Sequence, residues 1–134
     1  MDITKLKRIF DFLEEKEEQN PPFMWKWKNG IPLIEEDLEV GGDLDLRDSK
    51  ITSLPEGLKV GGDLDLTYTN IKSLPKGLKV GGDLYLMFST ISSLPKGLEV
   101  GGGLYIYGTP LQKYTDDELI EMIKPGFIKE WIFR

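Results

Sequence analysis

A 20-residue unit occurs three times in nearly the same letters, and it constrains the fold of this 134-residue chain more than any other feature. The copies begin at Val40, Val60 and Val80 and read VGGDLDLRDSKITSLPEGLK, VGGDLDLTYTNIKSLPKGLK and VGGDLYLMFSTISSLPKGLE. A partial fourth copy, VGGGLYIYGTPL, begins at Val100. A unit this short cannot bury its own apolar face, so the fixed period predicts a solenoid whose copies stack on one another.

The apolar pattern within one copy predicts a short strand and an irregular return. In the second copy, Leu64 and Leu66 share one face of the strand, and the polar residues between and beside them point to the other face. The SLPxGL segment contains a proline and a glycine, which favours an irregular return or a 3₁₀ turn. Stacking at the strand spacing of about 4.8 Å predicts a parallel sheet on one face of the solenoid and loops on the other.

The repeats occupy the middle of one predicted domain, with a cap on either side. Residues 1–30 predict an N-terminal cap of a helix and a strand, residues 31–111 the solenoid, and residues 112–134 a C-terminal helical cap. Thr115 and Glu118 have the spacing of a capping box, which predicts that a helix begins there. The tail FIKEWIF is too apolar to stay in water, and we expect it to cover the open end of the last repeat.

Composition argues against an enzyme. The chain contains no Cys and no His, so the commonest nucleophile–base pairs and zinc ligands are missing from the sequence. Its paired glycines are corners of a repeat and do not open helices as nucleotide-binding motifs do. We expect no cofactor and no metal. A charged N-terminus and the absence of long apolar runs predict a cytoplasmic protein without a membrane span.

The net charge of −6 lies at one end of the array. Residues 35–48 hold seven acids against Arg47, while the other residues hold 16 acids and 16 bases. A nucleic-acid binder needs a concentrated positive surface, so this distribution predicts that the partner is not a nucleic acid. The alternative interpretation is an inhibitor from a phage or mobile element whose acidic surface mimics nucleic acid and blocks a host protein.

Comparison of the copies separates the scaffold from a variable surface. The glycines, leucines and prolines repeat nearly unchanged, whereas the outward positions of the strand and the position after it vary from acidic to aromatic along the array. Exposed Tyr and Met are typical of protein interfaces. Aromatic residues also suit strands, and the tail is expected to cover some of them. The predicted partner-binding residues are Asp45, Arg47, Asp65, Tyr68, Tyr85, Met87, Phe88, Tyr105 and Tyr107.

An aspartate column allows two interpretations. Asp43, Asp63 and Asp83 are expected to stack in register, although like charges directly opposite one another are destabilising. The structural interpretation is that each carboxylate accepts backbone N–H groups at the glycine corner, as in an Asx turn. The functional interpretation is a calcium ladder, but the repeat lacks the nonapeptide period of calcium-binding β-helices.

The repeat resembles the leucine-rich repeat family, whose pattern is L-x-x-L-x-L-x-x-N-x-L. Gly61, Leu64, Leu66, Thr69 and Ile71 occupy its key positions in the second copy. The 20-residue length and the SLPxGL ending look like the short bacterial type found in effector proteins of Gram-negative pathogens. The GGDLDL spelling is similar to repeat proteins of bacteria, phages and other mobile elements. The resemblance covers residues 31–111 and implies an α/β repeat solenoid with helical caps that binds another protein.

The sequence departs from that pattern at two positions. Gly replaces the first leucine. Ser or Thr replaces the asparagine, and such a hydroxyl is expected to bond a backbone group of the next turn. This leaves a β-helix-like solenoid as the alternative fold. Some relatives carry a ubiquitin-ligase domain with a cysteine nucleophile, which this sequence lacks, so that activity is not implied. A self-assembling structural unit is a third functional hypothesis; the oligomeric state does not follow from the sequence.

Overall fold

The computed structural model describes residues 38–134, which form a β-solenoid of about three turns. Ten strands of two residues each carry the stack. In chain order they are β1 Glu39–Val40, β2 Leu44–Asp45, β3 Lys59–Val60, β4 Leu64–Asp65, β5 Lys79–Val80, β6 Leu84–Tyr85, β7 Glu99–Val100, β8 Leu104–Tyr105, β9 Phe127–Ile128 and β10 Ile132–Phe133. The prediction of a parallel repeat solenoid is confirmed.

The strands form two parallel sheets of five strands each. The first sheet has the order β1-β3-β5-β7-β9, and the second has the order β10-β8-β6-β4-β2. Each strand of the repeats pairs with the strand one copy away, so Val60 lies opposite Val40 and Leu64 opposite Leu44. The register therefore equals the sequence period, and every residue stacks on its equivalent in the neighbouring coil.

The second sheet corrects the expectation of one sheet with loops on the other face. In each coil a strand of the first sheet ends at the paired glycines, the chain turns, and a strand of the second sheet follows. Glycine fits this corner because a Cβ on Gly61 or Gly62 would overlap the preceding coil. The return segments between the corners contain no strand, as expected from their proline and glycine. The stack therefore corresponds to the β-helix-like alternative.

The core lies between the two sheets and the return segments. Leu64, Leu66, Ile71 and Leu78 are completely buried, and their equivalents in the other coils are buried as well. Burying each such side chain stabilises the fold by about 1.5–3 kcal/mol relative to exposure. A single coil cannot bury these side chains by itself, so this stabilisation depends on the coils above and below it.

In three coils the buried hydroxyl bonds within its own coil, and the expectation of a bond to the next coil is wrong; among the described residues, the Ser49 Oγ of the first coil has no hydrogen-bond partner. The Thr69 Oγ1 donates to the Leu66 carbonyl at 2.7 Å, and the Ser89 Oγ donates to the Leu86 carbonyl at 2.6 Å. Thr109 repeats the contact with Ile106. These hydroxyls therefore stabilise the turn of their own coil and do not link one coil to the next.

The C-terminal segment closes the stack with a helix and a last pair of strands. A 3₁₀ helix, Pro110–Lys113, leads to helix α1, Asp116–Ile123, whose capping box between Thr115 and Glu118 is confirmed. Leu119 and Ile123 of α1 are fully buried. The tail then adds β9 and β10 to the two sheets, so it covers the last repeat as expected. The C-terminal cap is therefore part helix and part strand.

Two further expectations concern the N-terminal cap and the membrane. The helix and strand predicted in residues 1–30, and the first residues of the solenoid predicted to begin at residue 31, lie outside the described residues. Within residues 38–134, no helix is long and apolar enough to cross a membrane.

The first glycine of each corner permits the coils to approach closely. A Cβ on Gly61 would lie 2.6 Å from the carbonyl oxygen of Gly41, and one on Gly81 or Gly101 would overlap the equivalent carbonyl still more. The same glycines donate their N–H to the preceding coil, as Gly101 does to the Val80 carbonyl at 2.8 Å. Any larger residue at this position would push the coils apart.

We therefore expect Gly101→Ala to lower the free energy of unfolding by about 2–3 kcal/mol, because the added methyl group meets backbone that cannot move aside. Urea unfolding measures the loss. Ser93→Ala, at an exposed return position, serves as the control and should change stability by less than about 0.5 kcal/mol. Equal stability of the two variants would contradict the close-approach argument.

Candidate functional site

The outward side of the second sheet and the turn after it form one surface, which we call the outer face. It contains the residue columns that begin at Asp45, Arg47 and Asp48 in the first complete coil. Along the stack these columns change from charged to aromatic. All nine predicted partner-binding residues lie in these columns and are exposed or half-buried.

One row of stacked rings, the strand row, consists of Tyr85, Tyr105 and Phe133. The centroids of Tyr85 and Tyr105 are 4.6 Å apart, and those of Tyr105 and Phe133 are 4.4 Å apart. Both tyrosines are half-buried. The rings cover one another's faces, so the row contributes to the stability of the stack and exposes mainly ring edges.

Phe133 is a member of the strand row that the columns of the sequence do not reveal. It lies in β10, opposite Tyr105, although the letters of the tail do not match the repeat. The available signal is the apolar pair Ile132–Phe133, which corresponds in alternation to Leu104–Tyr105. The sequence predicts that the tail covers the open end of the last repeat, and this prediction is confirmed. It does not predict that Phe133 joins the strand row.

A second row, the turn row, consists of Tyr68, Phe88 and Tyr107. Tyr68 and Phe88 stack with centroids 4.8 Å apart and planes 7° apart. Tyr107 meets Phe88 edge to face at 5.3 Å. All three side chains are exposed, Tyr68 by 58% and Phe88 by 42%. This row therefore offers more apolar surface to solvent than the strand row.

Two of the three turn-row residues, Tyr68 and Phe88, have a left-handed backbone. Tyr68 and Phe88 have φ angles of 58° and 57°, and the equivalent residues are Asp48 at 56° and Gly108 at 75°. Glycine and short polar residues adopt this conformation readily, whereas bulky residues do so rarely. The chain thus holds two exposed aromatic residues in a conformation that disfavours them.

Gly108 accommodates the neighbouring ring. A Cβ at this position would come within 2.5 Å of the Phe88 ring, which lies against the backbone of the fourth coil. Gly108 therefore adopts the positive φ angle without strain and also leaves room for the Phe88 ring. Met87 lies beside Phe88 and is half-buried, so it contributes part of its side chain to the same surface.

At the other end of the outer face, Arg47 pairs with two of the acids. The Arg47 guanidinium contacts Asp45 at 2.8 Å and Asp65 at 3.6 Å. The hydrogen bond from Arg47 holds the pKa of Asp45 below its ordinary value. Asp45 and Asp65 also accept the N–H two residues on, at 3.1 and 3.0 Å, which is Asx-turn geometry.

The aspartate column of Asp43, Asp63 and Asp83 links successive coils. The Oδ1 of Asp43 accepts the N–H of Asp63 at 2.8 Å, and the Oδ1 of Asp63 accepts the N–H of Asp83 at 2.7 Å. Asp83 accepts from Gly103 in the same way. The expectation that these carboxylates accept backbone N–H groups is confirmed, but the Asx turn is wrong here, because each acceptor reaches 20 residues ahead.

The calcium ladder finds no support in this arrangement. Within the described part of the chain, no three carboxylates come together in a way that could hold a metal ion. One oxygen of each aspartate in the column is already engaged by a backbone N–H of the next coil. The column therefore acts as a structural link between coils.

Comparisons with family models, curated proteins and solved structures gave no match for this sequence. The resemblance to leucine-rich repeats accordingly remains a prediction, and the functional argument depends on the geometry of the outer face.

The aspartate link can be tested with two substitutions at one position. Asp63→Ala removes the acceptor for the Asp83 N–H and should lower the free energy of unfolding by about 1–2 kcal/mol. Asp63→Asn keeps a carbonyl oxygen and should lose clearly less. Urea unfolding distinguishes the two, and equal losses would contradict the proposed hydrogen bond.

Tyr85 makes the free energy of unfolding depend on pH in the alkaline range. Burial, and then the hydrogen bond from its hydroxyl to the Oδ2 of Asp83 at 3.2 Å, raise its pKa from 10.0 to about 12. The neutral phenol therefore stabilises the fold fully below pH 10, and this contribution is lost as the pH rises through 12.

We expect the unfolding free energy of the natural chain to fall more steeply between pH 10 and 12 than that of Tyr85→Phe, which cannot ionise. Urea unfolding at several pH values in this window measures the slope. Tyr107→Phe removes an exposed hydroxyl and is the matched control. Identical slopes for the natural chain and Tyr85→Phe would show that Tyr85 is not the group responsible.

Proposed function

We propose that this chain is a non-enzymatic protein-binding module that presents its outer face to another protein. The observation that carries the proposal is the turn row, in which Tyr68 and Phe88 are exposed and held at positive φ angles. We expect the chain itself to be cytoplasmic and its partner to be another protein. The proposal extends the sequence-based prediction by assigning different roles to the two aromatic rows.

Stability alone does not account for the aromatic residues of the turn row. A left-handed conformation costs a non-glycine residue about 1–2 kcal/mol. The stacking of Tyr68 on Phe88 returns about 0.5–1.5 kcal/mol for the pair. An aspartate and a glycine occupy the same turn in other coils, so residues better suited to it are compatible with the fold. Strained residues of this kind are typical of functional positions.

The chemistry of the turn row suits a protein partner. Tyrosine is enriched among the residues that dominate interface energies, because it buries a large rigid ring and retains a hydroxyl for hydrogen bonding. Tyr68 and Tyr107 supply such rings at the two ends of the row, and Phe88 lies between them. The strand row, with its half-buried Tyr85 and Tyr105 and exposed Phe133, widens the apolar surface and supports it from the scaffold.

The test replaces both strained aromatic residues with a residue that the turn accepts. Asparagine tolerates left-handed backbone, so Tyr68→Asn combined with Phe88→Asn should leave the melting midpoint within a few degrees of the natural value. The same double variant should lose at least about tenfold in affinity for the protein that the natural chain retains, because two interface anchors are removed. A thermal melt measures the melting midpoint. Affinity chromatography isolates the protein that the natural chain retains, and a binding titration with that protein measures the affinity.

Asp48→Asn is the matched control, because it changes the same turn in the first coil without removing a ring. It should bind as the natural chain does. The nucleic-acid mimic remains the alternative, and it predicts the opposite pattern: the double variant keeps its affinity, and binding falls steeply as salt rises. That pattern would overturn the proposal.

A further inference from the structure

The last coil leaves the edges of both sheets without a partner strand in residues 38–134. β9 is the end strand of the first sheet and β10 is the end strand of the second. Phe127, Trp131 and Phe133, in or beside these strands, are exposed, and Trp131 exposes 73% of its surface. An open edge of this kind, with exposed apolar side chains, is a template for pairing with another chain.

The tail that forms this edge is palindromic in the direction of its side chains, and its letters are symmetric except at the pair Lys129 and Trp131. Residues 127–133 read FIKEWIF, with Glu130 at the centre. Ile128 and Ile132 are half-buried and lie opposite buried residues of β7 and β8. Phe127 and Phe133 are exposed and lie opposite outward residues of the same strands. Read in either direction, the tail presents the same order of outward, inward, corner, inward and outward residues.

We propose that two copies of this chain associate end to end through this edge, as a two-fold dimer with its axis through Glu130. The rotation lays β9 of one copy antiparallel on β10 of the other. Phe127 then faces Phe133 of the second copy, and Ile128 faces Ile132. Residues directly opposite one another in an antiparallel pair must point to the same side, and the palindrome meets this condition at every position. The contact is isologous, so it closes as a dimer.

The charges at the corner are complementary across the axis. Lys129 of one copy lies beside Glu130 and opposite Trp131 of the other copy, so each ammonium has a carboxylate and an aromatic ring within reach. Two lysines and two glutamates meet at the axis, and the group is neutral. The paired glutamates alone would repel one another, and the flanking lysines offset that repulsion. The charges therefore specify the register, while the apolar residues supply the affinity.

The dimer is expected to be weak. The contact involves the edge of a single coil, and we expect it to bury less than the roughly 1,200–2,000 Å² of total surface that stable complexes bury. Association should therefore depend on concentration. This inference does not rest on the proposed function, because the C-terminal edge and the turn row are separate sets of residues.

Charge reversal at the corner tests the inference. Lys129→Glu places four carboxylates at the axis, and Glu130→Lys places four ammonium groups there, so each variant alone should dimerise at least about tenfold more weakly than the natural chain. An equal mixture of the two variants should recover association, because the two glutamates of one copy then lie beside the two lysines of the other. Sedimentation velocity of the full chain, from about 10 µM to about 1 mM, measures the dimer fraction.

Lys76→Glu makes the same change of charge at an exposed return position and should dimerise as the natural chain does. Melting curves confirm that each variant is folded. The inference is overturned if the natural chain stays monomeric throughout the range, or if the mixture associates no better than its components. It is also overturned if the Tyr68→Asn, Phe88→Asn variant loses self-association while the charge reversals retain it, because the turn row would then be the contact.

Discussion

The close stacking of equivalent backbone positions, 20 residues apart, is the constraint on which the rest of this structure depends. Strands of only two residues offer few hydrogen bonds each, so the coils need the additional links at their corners. Gly61 and its equivalents let the carbonyl groups approach, and the aspartate column adds a charge-assisted bond between coils. Neither contact tolerates a change in register, which explains why the corner residues repeat almost without variation.

This register also organises the surface. Because each residue stacks on its equivalent, a column of like side chains becomes a continuous row. Aromatic columns give stacked rings, which stabilise one another, whereas acidic columns give repulsion unless each carboxylate has a donor. The acids of the outer face meet that requirement through backbone N–H groups and Arg47. The aromatic rows have no such need and expose apolar area at the C-terminal end.

The C-terminal tail departs from the repeat at its corner. In the tail, Lys129, Glu130 and Trp131 take the place of the Gly-Gly-Asp corner, so the residue that would link to another coil is absent there. Helix α1 buries Leu119 and Ile123 against the core. The two sheets nevertheless gain one more strand each from the tail, and their outer edges carry the palindromic pattern. Termination of the repeat and the capacity for association thus come from the same seven residues.

Much of this was predictable from sequence. The period, the inward leucines, the Thr115 capping box and the columns of the outer face all follow from local letters and spacing. Three features required the tertiary structure: the division into two sheets, the reach of Asp63 to the next coil, and the place of Phe133 beside Tyr105. A repeat determines which residues stack, because the period sets the register. Only the folded chain decides how sharply each corner turns, and therefore which atoms meet.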